Sequence, residues 1–216
     1  MTKSSDPFAP SDVEGPSAAT SLGTNGKLKR IAIYCGSAPG NDPAFADAAV
    51  ALVRAMAARG IDLVYGGGKL GLMGLVADTM LEAGGKVYGV IPAALVDKEV
   101  AHLGCTELHQ VSGMHERKAR MTELTDAFVC LPGGIGTLDE LFEAWTWNAL
   151  GYHAKPFCLL NVKGFWNGLD SFMDHVAGSG FLSPARRAQL LIAATPDEAI
   201  DRLDEAARSA TQGMVW

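Results

Sequence analysis

The sequence predicts an α/β protein: a doubly wound parallel sheet with helices on both faces, folded as a single domain. Three observations predict it. Short apolar runs alternate along the chain with stretches of helical periodicity, and repeated βα units of that kind give parallel strands covered by helices. Several of the runs end in a glycine-rich segment just before the next helix, and in such sheets these segments form the ligand loops beyond the carboxyl ends of the strands. At 216 residues and 48% hydrophobic content, the chain can bury one sizeable core.

Residues 1–27 are expected to lie outside that core as a disordered tail. They are rich in Ser, Pro, Ala, Thr, Asp and Gly, with neither the apolar stretch of a secretory signal nor the acid-poor composition of a transit peptide. The domain is expected over residues 28–210, with 211–216 as a C-terminal tail. Arg30 to Cys35 reads as the first strand. After the loop Gly36-Ser37-Ala38-Pro39-Gly40, Asp42 caps and Pro43 opens a helix that runs to about Arg59, and Gly60 ends it. Ile61 to Tyr65 is a second strand, and Gly66 to Gly71 leads into a helix reaching about Ala83. Gly84-Gly85 breaks that helix, and Lys86 to Ile91 is a third strand stopped by Pro92. Ala93 to Val111 reads as irregular. A helix from about Gly113 to Leu124 precedes Ala127-Phe128-Val129-Cys130-Leu131, whose unbroken apolar character suits a strand buried on both faces. Leu138, Leu141, Phe142 and Trp145 mark the apolar stripe of the next helix. Pro156 to Asn161 is the fifth strand, and helices near Trp166 to Val176, Pro184 to Gln189 and Pro196 to Ala207 complete the domain.

A formal net charge of −6 argues against broad contact with nucleic acid, which requires an extended basic face, while leaving room for a small anionic ligand. No apolar run approaches the ~20 residues that span a bilayer, so no membrane partner is expected. Cys35, Cys105, Cys130 and Cys158 show no C-x-x-C spacing, and three of them fall in expected strands. They read as reduced thiols of a cytoplasmic protein. His102, His109, His115, His153 and His175 have no metal-binding spacing, so no metal is expected.

Residues 131–140, Leu-Pro-Gly-Gly-Ile-Gly-Thr-Leu-Asp-Glu, carry the densest chemistry. They occupy a strand-to-helix turn, where unpaired N–H groups and the positive end of a helix dipole make an anion site. Gly134, Ile135, Gly136, Thr137, Leu138 and Asp139 form the cradle, and Glu140 brings a carboxylate beside it. Thr-Leu-Asp-Glu is also a capping box, with Thr137 as cap and Glu140 reaching back. Capping leaves Pro132-Gly133-Gly134-Ile135-Gly136 without a reason, so both duties stay open. Gly66-Gly67-Gly68-x-x-Gly71 approximates a dinucleotide fingerprint, but Lys86-Val87-Tyr88 stands where the acidic ribose ligand belongs, so NAD is not expected. Gly67 and Gly68 either admit a ligand close to the backbone or make a structural turn. Ser37 either caps a turn or binds phosphate. In Met114-His115-Glu116-Arg117-Lys118-Ala119-Arg120, spacing alone gives a solvated face with a Glu116–Arg120 pair and surface charges at Arg117 and Lys118. Glu99 likewise reads as a surface residue on pattern.

Taken together, Met114-His115-Glu116-Arg117-Lys118-Ala119 and Pro132-Gly133-Gly134-Ile135-Gly136-Thr137-Leu138-Asp139-Glu140 resemble the Lonely Guy family. These are cytokinin riboside 5′-monophosphate phosphoribohydrolases, often mislabelled as lysine decarboxylases. Tyr34-Cys35-Gly36-Ser37, Val64-Tyr65-Gly66-Gly67-Gly68, Gly71-Leu72-Met73-Gly74 and Trp147-Asn148-Ala149-Leu150-Gly151 match as well, so the resemblance covers about Arg30 to Ala199. The long N-terminal tail departs from the shorter members. The resemblance implies a Rossmann-like fold and a homodimer that uses no cofactor and hydrolyses the N-glycosidic bond of an N6-modified AMP to free base and ribose 5-phosphate. It implies Arg117 and Glu140 as the catalytic pair. Its implied nucleotide-binding positions are Glu99, Arg117, Lys118, the segment Gly134 to Glu140, and Thr146. A lysine decarboxylase would need a Schiff-base lysine for pyridoxal phosphate, and no lysine here stands in such a setting. A general AMP nucleosidase and a molybdenum-cofactor carrier, which is similar across the glycine motif, are the alternatives; the Arg117/Glu140 pair favours an enzyme.

Overall fold

The computed structural model describes residues 28–96 and 101–212. The expected N-terminal tail and Glu99 lie outside the described residues. Seven strands form one sheet: β1 (Arg30–Tyr34), β2 (Asp62–Tyr65), β3 (Val87–Pro92), β4 (Glu107–Val111), β5 (Ala127–Cys130), β6 (Phe157–Leu160) and β7 (Leu190–Ala193). Their order is β4-β3-β2-β1-β5-β6-β7, and every neighbouring pair is parallel. The chain builds outward from β1 as far as β4, then returns to place β5 on the other flank of β1. The order therefore reverses between β1 and β5, and their carboxyl ends frame the crevice in which such sheets bind ligands.

Seven helices cover the sheet: α1 (Pro43–Ala58), α2 (Gly71–Glu82), α3 (Met114–Leu124), α4 (Ile135–Ala149), α5 (Asn167–Gly178), α6 (Pro184–Arg187) and α7 (Pro196–Gln212). Alternation along the strands sorts side chains into two layers. Ile31, Ile33, Ala127 and Val129 point to one side, where they pack with Leu52 and Met56 of α1, Val76 and Met80 of α2 and Leu203 of α7. Ala32, Tyr34, Phe128 and Cys130 point to the other, with Met121 of α3, Leu141 and Trp145 of α4 and Met173 of α5. Phe128 is fully buried and stacks on Tyr34 at 5.5 Å between ring centroids. Burying a side chain of that size contributes about 2 kcal/mol. The start of α1 follows its local chemistry: Pro43 is the first helical residue, and Asp42 Oδ1 accepts from the Ala44 N–H at 2.9 Å.

Two strands correct the sequence reading. β4 lies inside the stretch expected to be irregular. It is an edge strand whose Glu107 and Gln110 are exposed, so it lacks the continuous apolar run of a central parallel strand. β7, the opposite edge, has only four residues between α6 and the start of α7, and so short a run merges with the helical pattern on either side.

Candidate active site

The loops after β1, β2 and β5 meet above the crevice. The Gly36 N–H donates to the Pro132 carbonyl at 3.2 Å, and the Gly36 carbonyl accepts from Leu72 at the start of α2 at 3.1 Å. Gly71 has φ +58°, and a Cβ there would overlap the Ser37 carbonyl. A Cβ on Gly133 would overlap the Thr137 hydroxyl and stand 2.9 Å from Gly36 N. Glycine at both positions is what lets three backbone segments approach one another.

The helix α4 begins at Ile135, with Gly134 as its cap and no side-chain cap bond. Of the two duties left open for Thr137, the helix cap is overturned. Thr137 is the third helical residue and is buried, only 3% exposed, with its hydroxyl against Gly133. Gly134 takes over the cap, which shifts the helix start three residues upstream. The first intrahelical bond runs from Leu138 N–H to the Gly134 carbonyl at 3.2 Å, so the N–H groups of Ile135, Gly136 and Thr137 have no partner within the helix. Gly134, Ile135 and Gly136 are exposed, whereas Thr137 is buried beneath them. Glu140 sits in the second turn of α4, and Asp139 beside it is exposed while Leu138 is half-buried. The Glu140 charge reaches the ends of both switch-point strands. After burial, it is the leading cause that raises the Tyr34 hydroxyl and the Cys35 and Cys130 thiols above their ordinary pKa values.

The second cluster lies on α3, and the structure overturns its reading as a solvated face. Glu116 does not pair with Arg120. It accepts from the Ser112 N–H at 2.7 Å and the Ser112 hydroxyl at 2.6 Å, and Arg120 pairs with Glu123 at 2.9 Å. Glu116 thus serves the helix start, and its carboxyl is held below the ordinary range by those Ser112 bonds. Arg117 is 4% exposed. Its Nη2 donates to the Gly66 carbonyl at 2.9 Å, and its Nη1 lies 3.8 Å from the Met114 sulfur. Gly66 directly follows β2, next to β1, while Glu140 acts at the ends of β1 and β5. Since neighbouring strands lie about 4.8 Å apart, the guanidinium and the carboxylate address the same crevice.

Lys118 is buried as well. Its ammonium bonds Asp139 at 3.1 Å and Glu143 at 2.9 Å, tying α3 to α4. Burial disfavours that charge, but the bonds to Glu143 and Asp139 outweigh it and raise the Lys118 pKa. Glu143 is the residue sequence reasoning missed. Its side chain is 17% exposed, and it lies one turn beyond Glu140 on the inward face of α4. The i, i+3 spacing of two acids in an otherwise apolar stripe is the signal that marks it.

The remaining expected positions are dispersed. Ser37 is exposed in the loop after β1. Gly67 and Gly68 are buried; the Gly67 carbonyl accepts from the His102 N–H at 2.9 Å, and Gly68 pairs with Ala101. Thr146 is exposed and faces away from the cradle, into a groove with Phe142, Trp145, Met173 and Phe181. The four cysteines are free. Among the described residues no group of three or more His, Cys, Asp and Glu side chains could hold a metal ion, and no helix is long and apolar enough to cross a membrane.

Residues 73–203 match the family model described as "possible lysine decarboxylase". The cytokinin riboside 5′-monophosphate phosphoribohydrolase LOG of Oryza sativa subsp. japonica is 47% identical over 190 residues, which cover 88% of this chain and 78% of that one. Its counterpart LOG1 of Arabidopsis thaliana is 45% identical over 179 residues, 83% of this chain and 84% of that one. The molybdenum cofactor carrier protein of Chlamydomonas reinhardtii superposes with a TM-score of 0.63, covering 83% of this chain and 98% of that one, at 20% identity; this likeness is one of fold alone. With the paired motifs, the switch-point crevice and these relatives together, the chain belongs to the Lonely Guy family, that of the cytokinin riboside 5′-monophosphate phosphoribohydrolases.

Proposed function

We propose that the protein hydrolyses the N-glycosidic bond of a nucleoside 5′-monophosphate with an N6-modified adenine, as its relatives are named for doing. The observation that carries this reading is the junction at the switch point. A buried guanidinium at the end of β2, a carboxylate at the ends of β1 and β5 and an open helix N-terminus share one crevice. The free N–H groups of Ile135, Gly136 and Thr137 hold the 5′-phosphate and fix the ribose. Cleavage then passes through an oxocarbenium-like ribosyl group, as in glycoside hydrolysis. The bond from C1′ to the base nitrogen breaks with its electron pair leaving on the base. Water adds its oxygen to C1′, and one water proton ends on the departing base. Glu140 stabilises the cationic sugar and aligns that water. Arg117, which stays protonated, orients the carboxylate and polarises the substrate. Lys118 holds α3 and α4 in register under the site through Asp139 and Glu143, and Glu99 completes the nucleotide contacts.

The protein acts as a homodimer in this reading. The groove lined by Phe142, Trp145, Met173, Val176, Phe181 and Leu182, with Phe142 and Phe181 exposed, is an apolar face suited to a second copy. The four free thiols support a reducing, cytoplasmic setting.

The test is to incubate the protein with N6-isopentenyl-AMP, AMP and other nucleoside monophosphates and measure free base and ribose 5-phosphate. Release from the N6-modified nucleotide is expected. Equal release from AMP would make it a general nucleosidase, and no release from any nucleotide would refute the hydrolase reading.

A further inference from the structure

We propose that His102 is a positioning residue that fixes the Arg117 guanidinium by way of the glycine loop after β2. The inference rests on the assignment of Arg117 to the hydrolytic site. Arg117 takes its bearing from a backbone carbonyl, that of Gly66. Its placement is therefore only as definite as the loop Gly66-Gly67-Gly68. That loop has little rigidity of its own, since Gly67 sits at φ +77°, a conformation glycine enters and leaves freely. What holds it comes from outside: the His102 N–H donates to the Gly67 carbonyl at 2.9 Å, and Ala101 pairs antiparallel with Gly68.

His102 is in turn clamped through both ring nitrogens. It is 5% exposed. Nδ1 accepts from the Gly104 N–H at 3.2 Å, so in the neutral ring the hydrogen is assigned to Nε2. Nε2 lies 2.8 Å from Asp78 Oδ1 on α2, and donates to it. The connection runs from Asp78 through the His102 ring and main chain to Gly67 and Gly66, and ends at Arg117. It joins α2 to α3 beneath the crevice. A reacting group displaced by about 1 Å can lose on the order of 100-fold in rate, and this clamp prevents such a displacement. A histidine kept only for packing would need neither ring bond.

The test uses the full chain and three variants: His102→Ala, Asp78→Ala and Asp78→Asn. Asp78 is half exposed, 53% for its side chain, so Asp78→Ala carries the test if His102→Ala does not fold. Asn at 78 keeps the acceptor oxygen. The first readout needs no activity: in 15N-arginine-labelled protein, the Nε–H resonance of Arg117 is assigned by its loss in Arg117→Lys. The second is the steady-state release of base from N6-isopentenyl-AMP below the melting temperature. His102→Ala and Asp78→Ala are expected to shift the Arg117 resonance and lower kcat about 10-fold while KM stays within about twofold, and Asp78→Asn to restore both. An unmoved Arg117 resonance in folded Asp78→Ala or His102→Ala overturns the proposal. If the resonance moves while Arg117→Lys retains full turnover, the clamp stands and the catalytic assignment of Arg117 falls instead.

Discussion

Gly66→Ala isolates the contact between Arg117 and the end of β2. Gly66 is absent from the positions with positive φ, so alanine can adopt its backbone without strain. The cost falls on what the new methyl group meets. It would overlap Arg117 Nη2, stand 3.1 Å from Cζ and touch the Met73 sulfur at 3.4 Å. The guanidinium must swing away and give up its 2.9 Å bond to the Gly66 carbonyl. A hydrogen bond from a charged donor contributes about 1.5–3 kcal/mol. If the transition state depends on that placement, kcat/KM falls roughly 10- to 150-fold, since each 1.36 kcal/mol is about tenfold. The assay is base release from N6-isopentenyl-AMP, with near-UV circular dichroism to establish native packing. A natively packed Gly66→Ala protein with kcat/KM within about twofold of wild type would show that Arg117 does not work from this position.

Glu140→Gln keeps the size of the side chain and removes its charge; turnover should fall at least ~100-fold in a folded protein, and near-normal turnover would remove Glu140 from the mechanism. Thr137→Val should leave KM for the 5′-monophosphate within about twofold, because the donors are main-chain N–H groups and the hydroxyl is turned to Gly133; a tenfold rise would make the hydroxyl a phosphate ligand. His153 predicts a pH effect on stability. Burial, then the charge of Lys155, lowers its pKa from 6.5 to about 4. Between those values the unfolded chain binds a proton that the folded chain refuses, so this stability is complete above pH 6.5 and is lost as pH falls toward 4. At about 1.4 kcal/mol per pH unit, it is worth about 3 kcal/mol. His153→Asn, which can still accept from the Lys155 N–H as the Nδ1 of His153 does, should flatten urea-derived stability over that window; parallel curves for the two proteins would refute the assignment.

The central strands and their loops were legible because burial on both faces leaves a continuous apolar run, as in Ala127 to Cys130. Edge strands escape that logic: Glu107 and Gln110 face water, and Leu190 to Ala193 is too short to stand apart from its flanking helices. The close turn between β5 and α4 was readable from Pro132 to Gly136, since a helix start alone does not need so many small residues. The start of α4 was not, because capping by a glycine leaves no side-chain signature while Thr137 and Glu140 display a false one. For Arg117 and Lys118 the spacing misleads for a physical reason. Charged residues are buried only where partners meet them, and those partners, the Gly66 carbonyl and Glu143, are distant in sequence. Only the resemblance of the two motifs pointed inward. Glu143 lies outside both motifs, and its i, i+3 spacing from Glu140 was its mark in the sequence.

Helix α4 bears two surfaces. Its first turn presents N–H groups with no partner in the helix, and Phe142, Thr146 and Ala149 along its outer side line the apolar groove. At 15 residues it is a rod about 22 Å long, and hydrogen-bonded helices resist bending over so short a span. A tilt imposed at the groove therefore reappears at the cradle, with the pivot where Leu141 and Ala144 are gripped by the sheet. In the proposed reading, a second copy that tilts α4 at the apolar side would re-aim the N–H groups of its first turn, and a phosphate held there would act back on that contact.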